Sequence, residues 1–161
     1  MIVVLMGVSG CGKTAVGQVL ARELGWSFLD ADDYHPAANV EKMRSGRPLT
    51  DEDRWPWLDR LNELMHAHDE KDENVVLGCS ALKQVYRDRL SKALTDVRWV
   101  HLKGSFELIT TRLQQRKHRY MPASLLQSQF NTLEEPRDAL TLEIFDPPEL
   151  LARRIRDDLT L

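Results

Sequence analysis

Eight residues near the start of the chain, Gly7-Val8-Ser9-Gly10-Cys11-Gly12-Lys13-Thr14, constrain it more than any others. They match G-x-x-x-x-G-K-[ST], a pattern that carries weight only between a strand and a helix. Both flanks are present. Ile2-Val3-Val4-Leu5-Met6 is a short apolar run, and Ala15 to Leu24 has apolar residues at Val16, Val19, Leu20 and Leu24 at helical spacing. The order is therefore strand, glycine-rich turn, helix. Glycines at 7, 10 and 12 permit positive φ and a close approach of the backbone to a ligand. Successive N–H groups then form an anion nest, and the following helix adds its unpaired N–H groups and positive dipole end at the same point. Lys13 is expected to reach β- and γ-phosphates, and the Thr14 hydroxyl to sit on Mg²⁺.

The 161 residues suit one domain with a substantial core. With 22 Lys and Arg against 25 Asp and Glu, the formal charge is −3. That balance supplies no basic field for a nucleic acid, so no nucleic-acid partner is expected. Cys11 and Cys79 are the only cysteines, which excludes a disulfide framework and points to a reducing cytoplasm. Both read as small buried residues rather than reactive thiols. Met1 to Met6 is too short for a signal peptide and no stretch is long enough to span a bilayer, so no membrane partner is expected.

The rest alternates strand and helix patterns. Trp26 to Asp30 reads as a second strand, with Gly25 closing the first helix. It delivers Asp30, Asp32 and Asp33 to the carboxyl end of the sheet, where open α/β folds collect ligands. If the strand stays extended, Asp30 and Asp32 share a side. Pro36 to Gly46 suits a helix. Thr50 with Asp53 forms a capping box for a helix through about residue 70, with Leu58, Leu61, Leu64 and Met65 on its apolar face and Pro56 in its first turn. Trp55 and Trp57 read as core, and Arg54, near the helix start, as a candidate anion ligand. Asn74 to Ser80 reads as a buried strand ending in Gly78, Cys79 and Ser80, small enough for a ligand or backbone to approach. A helix over 81–90, a strand over 98–102 and a helix over 107–115 follow.

Arg112 to Pro122 is strongly basic in an otherwise mildly acidic chain. Arg112 and Arg116 are i,i+4 neighbours, and Arg119 lies beyond them. Cations on a closing segment are what phosphoryl transfer requires. His118 reads as an exposed loop residue. Ser124 to Leu133 is amphipathic, with Leu125, Leu126 and Phe130 able to fold this segment onto the body. Leu140 to Phe145 suits a fifth strand, Asp146-Pro147-Pro148 ends it, and Glu149 to Leu159 is the last helix. The predicted fold is a three-layer α/β/α sandwich, a five-stranded parallel sheet in one domain over residues 1–161, with a helical lid at about 116–135.

Beyond these readings the chain resembles the gluconate kinases, small P-loop sugar-acid kinases. The resemblance rests on the P-loop octad; on Asp30-Ala31-Asp32-Asp33-Tyr34-His35-Pro36 with Asn39 and Glu41-Lys42-Met43; on Gly46-Arg47-Pro48-Leu49-Thr50-Asp51-Glu52-Asp53-Arg54; on Cys79-Ser80-Ala81-Leu82-Lys83 with Tyr86-Arg87; and on Ser128-Gln129-Phe130 with Thr132-Leu133-Glu134. It implies a P-loop kinase fold and ATP-dependent phosphorylation of D-gluconate at its terminal hydroxyl, giving 6-phosphogluconate. Gly7 to Thr14 would bind ATP, and Asp30 would hold Mg²⁺ alongside Thr14. Asp32 would orient or deprotonate the attacking hydroxyl. Arg54, Lys83 and Ser80 would bind the acceptor, with His35 and Lys42 as further acceptor-side candidates. Arg112 would pack on adenine near Pro147, and Arg116 and Arg119 would close on the phosphates. Relatives of this kind are commonly dimers, which implies a homodimer.

The residues by themselves define a small P-loop phosphotransferase and leave two other readings open: a kinase for another small hydroxy acid or a nucleotide, and a nucleotide-dependent switch. A switch needs an effector surface, for which no segment stands out. Mixed acids and bases beside a P-loop suit a hydroxy acid, with a carboxylate for Arg or Lys and hydroxyls for Asp and Ser.

Overall fold

A computed structural model of the 161-residue chain describes residues 1–115 and 122–161. Among the described residues, five strands, β1 (Ile2–Met6), β2 (Ser27–Asp30), β3 (Val75–Gly78), β4 (Val97–Lys103) and β5 (Leu140–Glu143), are interspersed with seven α-helices. These are α1 (Lys13–Leu24), α2 (Ala37–Arg44), α3 (Asp51–Glu70), α4 (Gln84–Leu90), α5 (Phe106–Gln114), α6 (Ala123–Thr132) and α7 (Pro148–Leu159). All strand pairs are parallel, in the order β2-β3-β1-β4-β5. β1 and β3 are buried along their whole length, which is why they read as unbroken apolar runs. With right-handed crossovers, the return from β1 to β2 places α1 on one face, and the later connections place α3, α4 and α5 on the other. α7 closes the first face by packing on α1.

The register sets up the site. Gly78 of β3 pairs with Leu5 of β1 and with Asp30 of β2, so all three carboxyl ends finish level. Gly78 packs beside α1 and β2: a Cβ there would lie in ordinary contact with Lys13 Cβ at 3.5 Å and the Phe28 ring at 3.4 Å. The fold class and strand count are those expected from the sequence.

Three local readings are corrected. β2 ends at Asp30 and the chain turns into a 3₁₀ turn over Ala31–Tyr34, so Asp30 and Asp32 are not brought together by strand alternation. Asp30 instead caps that turn, its Oδ1 accepting the Asp32 N–H at 3.0 Å. The fourth helix begins at Gln84, not at residue 81. Ala81 sits at φ 43°, and the carbonyls of Ala81 and Leu82 accept from the buried Arg87 Nη1 at 2.7 and 3.2 Å, which holds them out of a helix. Pro56 lies inside α3 rather than in its first turn.

The capping box at Thr50 is present as read. Thr50 Oγ1 accepts the Asp53 N–H at 3.2 Å and Asp53 Oδ2 accepts the Thr50 N–H at 2.8 Å. Thr50→Ala removes one half of it and should lower stability by about 1 kcal/mol, the usual cost of a lost N-cap. A denaturant midpoint unchanged from the parent would show that α3 is held by packing alone.

Candidate active site

The P-loop has the geometry its glycines permit. Gly7 is at φ 145°, and a Cβ there would stand 2.7 Å from both Cys11 Sγ and the Leu102 carbonyl. Gly10, at φ 84°, packs so closely on Leu113 that a Cβ would meet its Cγ at 2.9 Å. α1 starts directly at Lys13, without a side-chain cap and without an acidic residue in its first turn, so its first N–H groups face the loop. Lys13 Nζ folds over the loop, donating to Gly7 O at 2.9 Å and Val8 O at 3.1 Å. Cys11 and Cys79 are buried and unpaired. Burial pushes the Cys79 thiol up to about 12, so it stays protonated at neutral pH and serves as packing.

One cleft of about 690 Å³ opens over this loop. Gly10, Gly12, Lys13 and Thr14 line it together with Asp30, Asp32, Asp33, His35, Arg54 and Ser80. Thr14 Oγ1 donates to Asp30 Oδ2 at 3.0 Å, although the two residues sit on different elements. A hydroxyl and a carboxylate oxygen meeting beside a phosphate loop form a hard-oxygen donor pair that suits Mg²⁺, which keeps several waters and takes few protein ligands. Among the described residues there is no cluster of three or more His, Cys, Asp or Glu that would hold a metal on protein ligands alone.

The Asp32 side chain is 58% exposed and reaches to 3.8 Å of His35 Nε2. His35 is stacked on Trp57 at 4.1 Å, and its Nδ1 faces Asn39 Nδ2 at 3.3 Å. Burial pulls the His35 pKa below the ordinary histidine value, a fall that Asp32 opposes and does not cancel. Trp57 is both core and cleft wall, with its Nε1 donating to the Ala31 carbonyl at 2.7 Å. Arg54 Nη1 donates to Leu49 O at 2.7 Å and to the Tyr86 hydroxyl at 2.9 Å.

Lys42 and Lys83 are not brought to the cleft lining. Lys42 Nζ pairs with Asp53 Oδ2 at 2.6 Å, and Lys83 Nζ pairs with Asp51 Oδ1 at 3.3 Å, both at the start of α3. The Lys42 bond is the main reason the Asp53 carboxyl falls to about 2. Arg112 and Pro147 also lie outside the lining; Arg112 Nη2 donates to the Ile144 carbonyl, at the exit of β5 toward Pro147. Arg116, Arg119 and His118, with most of the basic segment, lie outside the described residues.

Sequence reasoning did not place two groups of residues in the cleft, although it read Leu125 as packing the lid on the body. Val40, Met43 and Arg44 line the cleft from α2, and Arg44 adds a second arginine to it. From α6 come Leu125, Ser128, Gln129 and Thr132. Their spacing of i, i+3, i+4, i+7 is the signal that could have found them. Gln129 also joins α6 to the P-loop: its Oε1 accepts the Ser9 N–H at 2.7 Å and its Nε2 donates to Ser9 Oγ at 3.0 Å. Leu125 and Leu126 are buried, and Phe130 meets Phe106 edge-on at 5.6 Å, so this part of the lid does pack on the body.

A P-loop on a parallel sheet, a carboxylate-bearing acceptor side in the same cleft and a helix folded over it define a small P-loop kinase. A family model described as an AAA domain matches residues 2–139. A probable gluconokinase of Xenopus tropicalis is 50% identical over 151 residues, covering 84% of this chain and 80% of the relative. The thermosensitive gluconokinase of Escherichia coli K12 is 48% identical over 134 residues, covering 83% and 72%. The crystal structure of a gluconokinase from Sinorhizobium meliloti 1021 matches with a TM-score of 0.86 at 39% identity, covering 98% of this chain and 94% of that one. The chain belongs to the gluconokinase family of P-loop kinases.

Proposed function

We infer that the chain is a gluconokinase, transferring the γ-phosphoryl group of ATP to D-gluconate and releasing 6-phospho-D-gluconate and ADP. The observation that carries the reading is the single cleft in which P-loop residues stand with Asp32 and Arg54. Phosphoryl transfer needs little covalent chemistry from the protein; it needs both substrates positioned and the developing charge balanced.

In this reading the P-loop N–H groups and the start of α1 bind the phosphates, and Lys13 places its charge on the β- and γ-phosphates. Thr14 and Asp30 are the protein ligands of Mg²⁺, which when bound neutralises phosphate charge. Asp32 accepts the proton of the terminal hydroxyl as its oxygen bonds to the γ-phosphorus and the bond to the ADP oxygen breaks. His35, its pKa lowered by burial, flanks Asp32 on the acceptor side. Arg54 binds the gluconate carboxylate and Ser80 a hydroxyl. Lys42 and Lys83 act at one remove, fixing Asp53 and Asp51 at the start of α3. Arg112 and Pro147 border the adenine, and Arg116 and Arg119 are the cations that close on the phosphates and exclude water. The active species is a cytoplasmic homodimer, a reading supported by the two unpaired cysteines and by family resemblance. No helix among the described residues is long and apolar enough to cross a membrane.

The test is ADP release with Mg·ATP, alone and with D-gluconate, shikimate or AMP as acceptor. Stimulation by gluconate alone is expected. Turnover indifferent to every acceptor would revive the switch reading. Arg54→Ala should raise the KM for gluconate roughly tenfold to a hundredfold and leave that for ATP nearly unchanged, since a charged hydrogen-bond partner of the carboxylate is lost. The reverse pattern would move Arg54 to the nucleotide side.

A further inference from the structure

Arg54 does not hold its own position in the cleft. Its Nη1 is committed twice, to the Leu49 carbonyl at 2.7 Å and to the Tyr86 hydroxyl at 2.9 Å. Among the described residues its Nε and Nη2 make no hydrogen bond to protein, which leaves one edge of the guanidinium open for a bidentate ligand. The guanidinium also lies over the Tyr86 ring, 4.9 Å from its centre.

Tyr86 is in turn fixed from every side. It is 1% exposed, and Trp55 packs edge-on against it at 5.8 Å. Its hydroxyl has one proton, and donates it to Asp51 Oδ1. The hydroxyl oxygen is therefore available only as an acceptor toward Arg54. Asp51 is held by Lys83 Nζ at 3.3 Å. Burial and the Asp51 carboxylate both push the Tyr86 pKa up, and the Tyr86 bond is the main cause of the lowered Asp51 pKa. The relay thus has one polarity: Lys83 to Asp51, Tyr86 to Asp51, Arg54 to Tyr86. It spans α3 and α4, with Arg54 and Tyr86 separated by 32 positions in sequence and Asp51 and Tyr86 by 35.

We propose that Tyr86, oriented by Asp51, is a positioning residue that presents the Nε–Nη2 edge of Arg54 to the carboxylate of the acceptor, and so sets selectivity for a sugar acid over a neutral polyol. This rests on the reading of Arg54 as the carboxylate ligand. Tyr86 itself does not line the cleft. Its hydroxyl acts by restricting Arg54 to the orientation in which two parallel N–H groups face the ligand. Lys83 has the same chain of action one step further out, which gives a physical role to a residue that the structure takes away from the cleft.

Tyr86→Phe deletes the hydroxyl and keeps the ring, its contact with Trp55 and its place under Arg54. The measurements are the KM for D-gluconate, the KM for ATP, kcat, and the ratio of kcat/KM for D-gluconate to that for D-glucitol, the neutral alditol. The expected result is a rise of about tenfold in the gluconate KM, the scale of one hydrogen bond to a charged group. kcat and the KM for ATP should stay within about twofold, and the gluconate-to-glucitol ratio should fall. Asp51→Asn should reproduce the pattern more weakly, which keeps the test open if Tyr86→Phe does not fold.

The Arg54→Ala background separates the possible failures. If Tyr86 acts through Arg54, adding Tyr86→Phe to Arg54→Ala raises the gluconate KM no further. A raised gluconate KM in Arg54→Ala with an unchanged one in Tyr86→Phe overturns the positioning role and leaves the Arg54 reading standing. An unchanged gluconate KM in Arg54→Ala overturns both. Equal losses toward ATP and gluconate in Tyr86→Phe, or effects that add in the double variant, would reduce Tyr86 to a structural residue and overturn the proposal.

Discussion

Lys13→Ala should lower kcat by at least about 10²- to 10³-fold, the scale seen when one preorganised charge-stabilising donor is removed from a transition state. The expectation follows from placement. Lys13 is the first residue of α1, and its side chain turns back over the loop so that Nζ bonds to the carbonyls of Gly7 and Val8. The ammonium is therefore anchored by the loop that cradles the phosphates. Its charge is expected to act on the β- and γ-oxygens as charge develops there. The backbone N–H nest survives the substitution, so ATP binding should weaken less than kcat falls. A variant that retains near-normal turnover would remove the P-loop from the chemistry. A variant that loses ATP affinity in step with kcat would make Lys13 a ground-state ligand only.

Asp32→Asn is expected to keep ATP binding and cut kcat by roughly 10²-fold or more, the usual scale for a lost general base. Of the three carboxylates that line the cleft, Asp30 and Asp32 differ in their surroundings. Asp30 is engaged by the Thr14 hydroxyl and by the Asp32 N–H, so both of its oxygens are occupied. Asp32 lines the cleft with its side chain 58% exposed and, among the described residues, His35 Nε2 as its nearest charged or ionisable partner at 3.8 Å. An asparagine in its place retains the shape and loses the proton acceptor. Phosphoryl-transfer rates unchanged in single-turnover measurements would withdraw Asp32 from the mechanism and leave the acceptor hydroxyl to ionise by another route.

The P-loop was legible because every part of it is local. Strand, turn and helix are contiguous, and positive φ at Gly7, Gly10 and Gly12 is a demand on the backbone that residue type alone can meet. The Thr50–Asp53 capping box spans four residues and was legible for the same reason. The α6 stripe of Leu125, Ser128, Gln129 and Thr132 was legible in principle by its period, but its direction was not. Apolar neighbours at Leu126 and Phe130 make an equally good face, and only packing tells which one meets the P-loop.

Asp30 and Asp32 show where a local rule misleads. Alternation along an extended strand put them on one side, yet the strand stops at Asp30 and the pair is organised by a capping bond. For a different reason, the partners of the two lysines were not legible. A long cationic side chain near a site can reach either the ligand or a nearer carboxylate, and the choice depends on where α3 begins. Asp53 and Asp51 stand close enough to take Lys42 and Lys83.

From the order of its residues alone, then, this chain commits to a P-loop, to alternating strands and helices and, through its motif blocks, to the sugar-acid kinases, because those signals are short in range or carried by residue identity. The three-dimensional arrangement settles which side chains meet. It sets β3 between β1 and β2, so that Asp30 comes level with the P-loop and meets Thr14. It links Arg54 to Tyr86 across 32 residues and Gln129 to Ser9 across 120. Such contacts depend on strand order, helix packing and the reach of individual rotamers, and no periodicity within one segment encodes them.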